Sequence, residues 1–135
     1  MILEFDEESD IQKIDLSEDG IAIIEFSEEP GHDDGHSFFD VYRKAQTENH
    51  IYLTTWLVFD LSKISLHYSC DRFLDRCLYV GRERRKLDCD WRIIFVIDEN
   101  TEIQRLFEIT GLCKVFPVIA TREDAISYIR DAEKK

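Results

Sequence analysis

The stretch Trp56-Leu57-Val58-Phe59-Asp60-Leu61 decides the fold class of this 135-residue chain. A continuous apolar run that ends in an acid is typical of a strand covered on both faces, as in the middle of a parallel sheet. The stretch Arg92-Ile93-Ile94-Phe95-Val96-Ile97 repeats the pattern, and a helical pattern separates the two. Because parallel strands need a crossover connection of this kind, we predict that segments 56–61 and 92–97 are neighbouring parallel strands.

The sequence before these strands predicts an antiparallel hairpin. Ile11-Gln12-Lys13-Ile14-Asp15-Leu16 and Ile21-Ala22-Ile23-Ile24-Glu25-Phe26 flank the sequence Glu18-Asp19-Gly20. The Asp-Gly pair supplies the positive φ angle that a tight turn needs. The polar stretch 27–36, which contains one proline and two glycines, is typical of a loop.

Helical patterns follow this loop. A first helix is predicted from Ser37, which can bond to the amide of Asp40. A second has an apolar stripe at helical spacing, formed by Cys70, Phe73, Leu74, Cys77, Leu78 and Gly81. A third is predicted from Thr101 to a stop at Gly111.

The last helix is predicted to begin at a capping box of Thr121 and Asp124, with Ala125, Ile126 and Ile129 facing inward. Segment 115–119 contains a proline, so it is expected near a sheet edge. The sequence therefore predicts one α/β domain over residues 1–135. It has a mostly parallel mixed sheet, an N-terminal antiparallel hairpin and about four helices.

Composition limits the classes of partner. The formal net charge is -12, from 17 basic and 29 acidic residues, which disfavours binding to nucleic acid or to an anionic membrane surface. No run of eighteen apolar residues and no signal-peptide pattern occurs, so we expect a cytosolic protein. The cysteines at positions 70, 77, 89 and 113 form no C-x-x-C pair, so reduced thiols are expected.

Two groups of residues resemble chemical sites in part. His32 and His36, with Asp33 and Asp34 between them, have the side chains that zinc or nickel prefers, but no further ligand of clear spacing accompanies them. His67 lies three residues before a cysteine, but no third group is evident to orient it. No phosphate-binding loop or nucleophile elbow is present. We therefore predict no metal, no cofactor and no catalytic residue.

Asp60 supports an alternative hypothesis. It ends a central strand, and Glu28-Glu29 follows an earlier strand, so three acids could meet at the carboxyl edge of the sheet as in a phosphoacceptor receiver domain. A receiver also needs a lysine at the end of a later strand, and segment 115–120 has none. The simpler role for Asp60 is to accept hydrogen bonds from loop amides. A receiver-like signalling domain or small enzyme that uses Asp60 stays an alternative.

Three further stretches indicate a family. Leu57-Val58-Phe59-Asp60-Leu61-Ser62-Lys63-Ile64-Ser65-Leu66 resembles the central strand and D-L-S turn of STAS domains. Ile109-Thr110-Gly111-Leu112, followed by Val115-Phe116-Pro117-Val118 and Thr121-Arg122-Glu123-Asp124-Ala125, is similar to the end of that family's sequence. The resemblance covers roughly residues 10–132. It implies a non-catalytic regulatory domain, an anti-sigma-factor antagonist, that docks on a kinase-like anti-sigma factor. A structural subunit of a larger STAS-type assembly is a further alternative.

The family's phosphorylation motif is degenerate here. The family pattern D-S-S/T-G aligns with Tyr68, Ser69, Cys70 and Asp71, so a cysteine occupies the position of the phosphoacceptor. Ser69 is expected to act as a helix N-cap, and Asp71 places a permanent negative charge at the helix N-terminus. We predict that residues 68–72, including Arg72, form the partner-binding surface, and that phosphorylation of Ser69 does not regulate it.

Overall fold

The computed structural model describes residues 1–5, 11–27, 47–48, 54–64, 92–97 and 101–134. These residues form six strands: β1 (Ile2–Glu4), β2 (Ile11–Asp15), β3 (Ile21–Phe26), β4 (Trp56–Asp60), β5 (Arg92–Val96) and β6 (Val118–Ile119). Two α-helices, α1 (Thr101–Thr110) and α2 (Arg122–Glu133), are described together with a 3-10 helix at Leu112–Lys114. The chain is therefore an α/β protein, as the sequence predicts.

The six strands form one mixed sheet in the order β1-β2-β3-β4-β5-β6. β1, β2 and β3 pair antiparallel, whereas β3, β4, β5 and β6 pair parallel. The predicted pairing of β4 with β5 is confirmed, with Trp56 opposite Arg92 and Asp60 opposite Val96. The predicted hairpin is also confirmed, and Gly20 in its turn has a φ of 74°.

Two features differ from the sequence-based expectation. β1 was not predicted, because a three-residue strand is too short to show a periodic pattern. The expected number of about four helices is not confirmed, since two α-helices are described. The helices predicted from Ser37 and over the stripe from Cys70 to Gly81 lie outside the described residues. Between residues 27 and 54 only positions 47 and 48 are described, and both are helical.

The two faces of the sheet pack against different helices, because successive side chains of a strand point to opposite faces. One face contributes Ile24, Phe59 and Phe95 to a core that includes Phe107 of α1. The rings of Phe95 and Phe107 meet edge to face, with centroids 4.9 Å apart. The other face contributes Ile23, Val58 and Ile94, among others, to a second core that is covered by Ala125 and Ile129 of α2.

The predicted ends of the last elements are confirmed. α1 stops at Gly111, which has a φ of 76°. α2 begins after Thr121, whose hydroxyl accepts a hydrogen bond from the amide of Asp124 at 3.1 Å. β6 lies at the edge of the sheet directly after Pro117, where a missing amide costs little. Neither of the two helices described is long and apolar enough to cross a membrane.

Candidate functional site

Two buried acids lie side by side at the carboxyl edge of the parallel strands. Glu25 of β3 and Asp60 of β4 are direct register partners, and they are 6% and 4% exposed. Both lie on the face covered by α2, because each continues the alternation of the apolar residues before it on its strand. Two adjacent buried carboxylates repel each other and lose their hydration, so this position requires cations.

Arg122 supplies charge to both acids from the first turn of α2. Its Nε lies 2.5 Å from Asp60 Oδ2, and its Nη2 lies 2.5 Å from Glu25 Oε2. A cation is disfavoured at the N-terminus of a helix, where the helix dipole is positive. The two carboxylates account for this unusual placement, because the guanidinium can donate to both of them at once.

The remaining oxygens of the same two acids bind the turn that follows β4. Asp60 Oδ1 accepts hydrogen bonds from the Ser62 amide at 3.0 Å and from the Ser62 hydroxyl at 2.5 Å. Lys63 Nζ donates to Glu25 Oε1 at 2.5 Å. Backbone bonds from Leu61 to Val96 and from Ile64 to Leu61 complete the turn. We call Glu25, Asp60, Lys63 and Arg122 the edge network, and residues 61–64 the edge turn.

The edge network shifts the pKa of two of its members, Glu25 and Arg122. Burial raises the pKa of Glu25, but the hydrogen bonds and positive charges of Lys63 and Arg122 outweigh burial, so the pKa lies below its usual value. Burial lowers the pKa of Arg122, but Asp60 and Glu25 outweigh it and raise the pKa above its usual value. Glu25 is therefore held as a carboxylate and Arg122 as a cation at neutral pH.

The predicted role of Asp60 is confirmed, since it ends β4 and accepts a hydrogen bond from a loop amide. The acid beside it in the described part of the chain is Glu25, which the sequence analysis had assigned only to a strand. Glu28 and Glu29, the acids expected near Asp60, lie outside the described residues. Lys63 and Arg122 were also missed as site residues.

Most other predicted site residues lie outside the described part of the chain. They are the partner-binding residues Tyr68, Ser69, Cys70, Asp71 and Arg72, and the partial sites His32, Asp33, Asp34, His36 and His67. Within the described ranges no group of three or more His, Cys, Asp or Glu side chains could hold a metal ion. Cys113 is an exposed free thiol on the 3-10 helix.

The missed residues carry a signal that sequence reasoning can use. Glu25 interrupts an otherwise apolar run in a strand that is buried throughout, and a charged residue in that position needs a partner. Arg122 follows a good N-cap, where an acid is usual. Each anomaly is weak alone, but the two together indicate an ion pair between β3 and α2.

The comparisons with known proteins assign no family. A scan of the chain against protein-family models gives no match, and a search of curated proteins gives none either. The chemistry of the edge network must therefore be judged from its geometry. Two carboxylates and two cations give it a formal charge of zero, and all four carboxylate oxygens accept hydrogen bonds within it or from Ser62. This arrangement can fix the edge turn without any added ion.

Proposed function

We propose that this chain is a non-catalytic protein-interaction and regulatory domain of the anti-sigma-factor-antagonist type, acting in the cytosol without a cofactor. The observation that carries the proposal is the edge turn. It lies in the stretch 57–66 that resembles the central strand and D-L-S turn of STAS domains. Asp60 of β4 and Glu25 of β3 bond to it, and Arg122 of α2 bonds to both acids. The predicted partner-binding residues begin four positions after Ile64.

The sheet gives further support. The order of the STAS-like segments agrees with the mostly parallel mixed sheet and N-terminal hairpin that the sequence pattern predicts, and the strand pairing has that form. The segments on which the resemblance depends also occupy defined elements: β4 with the edge turn, the end of α1 at Gly111, β6, and the first turn of α2. Sequence resemblance and topology therefore agree over the described residues.

The bonding of Asp60 favours an interaction domain over a receiver or a small enzyme. Asp60 and Glu25 do lie together at the edge where receivers hold a divalent cation, and this placement is the reason to keep the alternative. However, Oδ2 of Asp60 accepts from Arg122 and Oδ1 accepts twice from Ser62. A phosphoacceptor needs an oxygen that can attack, and a cation site needs unneutralised charge.

Affinity capture with matched variants tests the proposal. Wild-type protein, an Asp71→Arg variant and a Glu108→Arg control are used as baits, and bound proteins are identified by mass spectrometry. The two substitutions change the charge equally, and Glu108 is an exposed residue of α1 far along the chain from the predicted surface. A kinase-like anti-sigma factor that binds the wild type and the control but not Asp71→Arg supports the proposal. Equal capture by all three baits contradicts it.

The receiver alternative has its own test. Wild-type protein and an Asp60→Asn variant are incubated with Mg²⁺ and acetyl phosphate, and intact mass is measured. The proposal predicts no added phosphoryl group on either protein. Phosphorylation of the wild type that is absent from Asp60→Asn would establish the receiver alternative instead.

A further inference from the structure

We propose that Arg122 is a positioning residue of the docking surface, which couples the N-terminus of α2 to the edge turn through the two buried carboxylates. The inference rests on the proposed function in so far as the predicted partner-binding residues follow the edge turn closely in the sequence. The coupling itself, however, is a property of described residues.

The division of the carboxylate oxygens carries the inference. Each acid gives one oxygen to Arg122 and the other to the edge turn. For Asp60 these are Oδ2 to Arg122 and Oδ1 to Ser62. For Glu25 they are Oε2 to Arg122 and Oε1 to Lys63. The two carboxylates therefore bridge Arg122 to the edge turn through hydrogen bonds.

The orientation of the bridges depends on Arg122. A carboxylate at the end of a side chain has a broad torsional preference, so its rotation is set by the groups that bond to it. Nε and Nη2 of one planar guanidinium fix both carboxylate planes relative to each other. Without this cation, two adjacent buried acids would repel, and rotation of either carboxylate would weaken its bonds to Ser62 or Lys63.

The coupling must act in both directions. The free energy that couples the order of the edge turn to the order of the first turn of α2 is the same in both directions, so loosening either one must also loosen the other. A partner that fixes the edge turn would thereby also stabilise α2, and an event that displaces Arg122 would weaken docking. A merely local structural role for Arg122 predicts no such reciprocity.

Amide hydrogen exchange measured by NMR tests the coupling in the free protein. In Arg122→Met the Ser62 amide should exchange about tenfold faster or more, relative to the Trp56 amide at the opposite edge of the sheet. Trp56 is a suitable reference because its amide bonds to the carbonyl of Gly20, away from the edge network. Arg130→Met is the matched control. Arg130 lies on the same helix with a side chain 33% exposed, against 34% for Arg122. Because Arg130 bonds to Glu18 and Asp19 in the hairpin turn, its replacement should leave the absolute exchange rate of the Ser62 amide unchanged.

The reciprocal experiment uses the double variant Ser62→Ala with Lys63→Met. The amides of Asp124 and Ala125, which bond to Thr121 in the first turn of α2, should exchange faster, again relative to Trp56. An Ile129→Val variant, which weakens the core beneath α2, shows the pattern expected from general destabilisation. Equal acceleration of all measured amides in Arg122→Met, or no acceleration at Asp124 and Ala125 in the double variant, would overturn the proposal.

A second variant covers the case in which Arg122→Met does not fold. Arg122→Lys keeps the charge, but an ammonium group lacks the planar fork that orients both carboxylates. We expect it to fold and to accelerate exchange at Ser62 by a smaller factor, about threefold, with Trp56 unchanged. If the Ser62 amide in Arg122→Lys exchanged at the same rate as in the wild type, the positioning role of Arg122 would be refuted. None of these measurements needs a partner, so failure of the docking proposal in affinity capture would be distinguishable from failure of the coupling.

Discussion

Arg122→Met should destabilise the domain measurably, because it leaves two buried carboxylates with less compensation than they need. Methionine keeps an unbranched side chain but removes the charge and every donor. Removal of one partner from a buried ion pair typically costs about 3–5 kcal/mol. Arg122 is 34% exposed and Lys63 still bonds to Glu25, so water and Lys63 recover part of the loss. We expect the free energy of unfolding to fall by about 2–3 kcal/mol.

Urea denaturation followed by circular dichroism measures this loss, and a thermal melt should show a midpoint lower by roughly 7–10 °C for a chain of this length. The cause can be separated from lost packing by a second substitution. Glu25→Gln in the Arg122→Met background removes one of the two buried negative charges that then repel each other. The fall in the free energy of unfolding should therefore be smaller for the double variant, by at least about 1 kcal/mol, than the sum of the falls for the two single variants. A loss below about 1 kcal/mol for Arg122→Met, or strict additivity, would refute the reasoning.

Three further predictions concern pH, packing and phosphorylation. The folded-state pKa of Glu25 is below its usual value, so the ionised form of Glu25 stabilises the fold above a pH of about 4.5, and this contribution is lost as the pH falls through the lowered pKa. The free energies of unfolding of wild type and Glu25→Gln should therefore differ at neutral pH and converge in acid. Phe95→Ala should lower the free energy of unfolding by about 3–5 kcal/mol, because the ring of Phe95 is fully buried. Ile109→Ala, at a side chain 75% exposed, should lower it by less than about 0.5 kcal/mol, and comparable losses in urea denaturation would contradict the assignment of the core. Intact mass after treatment with the cognate kinase should show no phosphate on the wild type and one phosphate on the double variant Cys70→Ser with Asp71→Gly. Stoichiometric phosphorylation of the wild type would contradict this prediction.

Most of the sheet could be predicted from the sequence, because most of its strands show local patterns. β4 and β5 lie in continuous apolar runs, and the helical sequence pattern between these two runs leaves few alternatives to parallel pairing. The hairpin follows from an Asp-Gly turn, and the ends of α1 and α2 follow from Gly111 and Thr121. β1 could not be found in this way. It has three residues, and it is defined by pairing with β2 rather than by a pattern of its own.

The edge network depends on contacts that are distant in sequence. Lys63 is 38 positions from Glu25, and Arg122 is 62 positions from Asp60 and 97 from Glu25. Local patterns identify Asp60 because it ends a strand and bonds to Ser62 two residues later. The anomalies at Glu25 and Arg122 indicate a pair between β3 and α2, but that Asp60 shares the same guanidinium follows only from the sheet register, which places Glu25 beside Asp60. The register is a tertiary property, so sequence analysis found one member of the site and missed three.

The central proposal, that this domain docks on a protein partner through residues 68–72, is tested most directly by the affinity of a purified partner for matched variants. Isothermal titration calorimetry would compare wild type, Asp71→Arg and the Glu108→Arg control, with a partner recovered by affinity capture. The claim predicts that Asp71→Arg weakens binding at least about tenfold, which is about 1.4 kcal/mol, while the control binds within about twofold of the wild type. Equal affinity for all three proteins would contradict it.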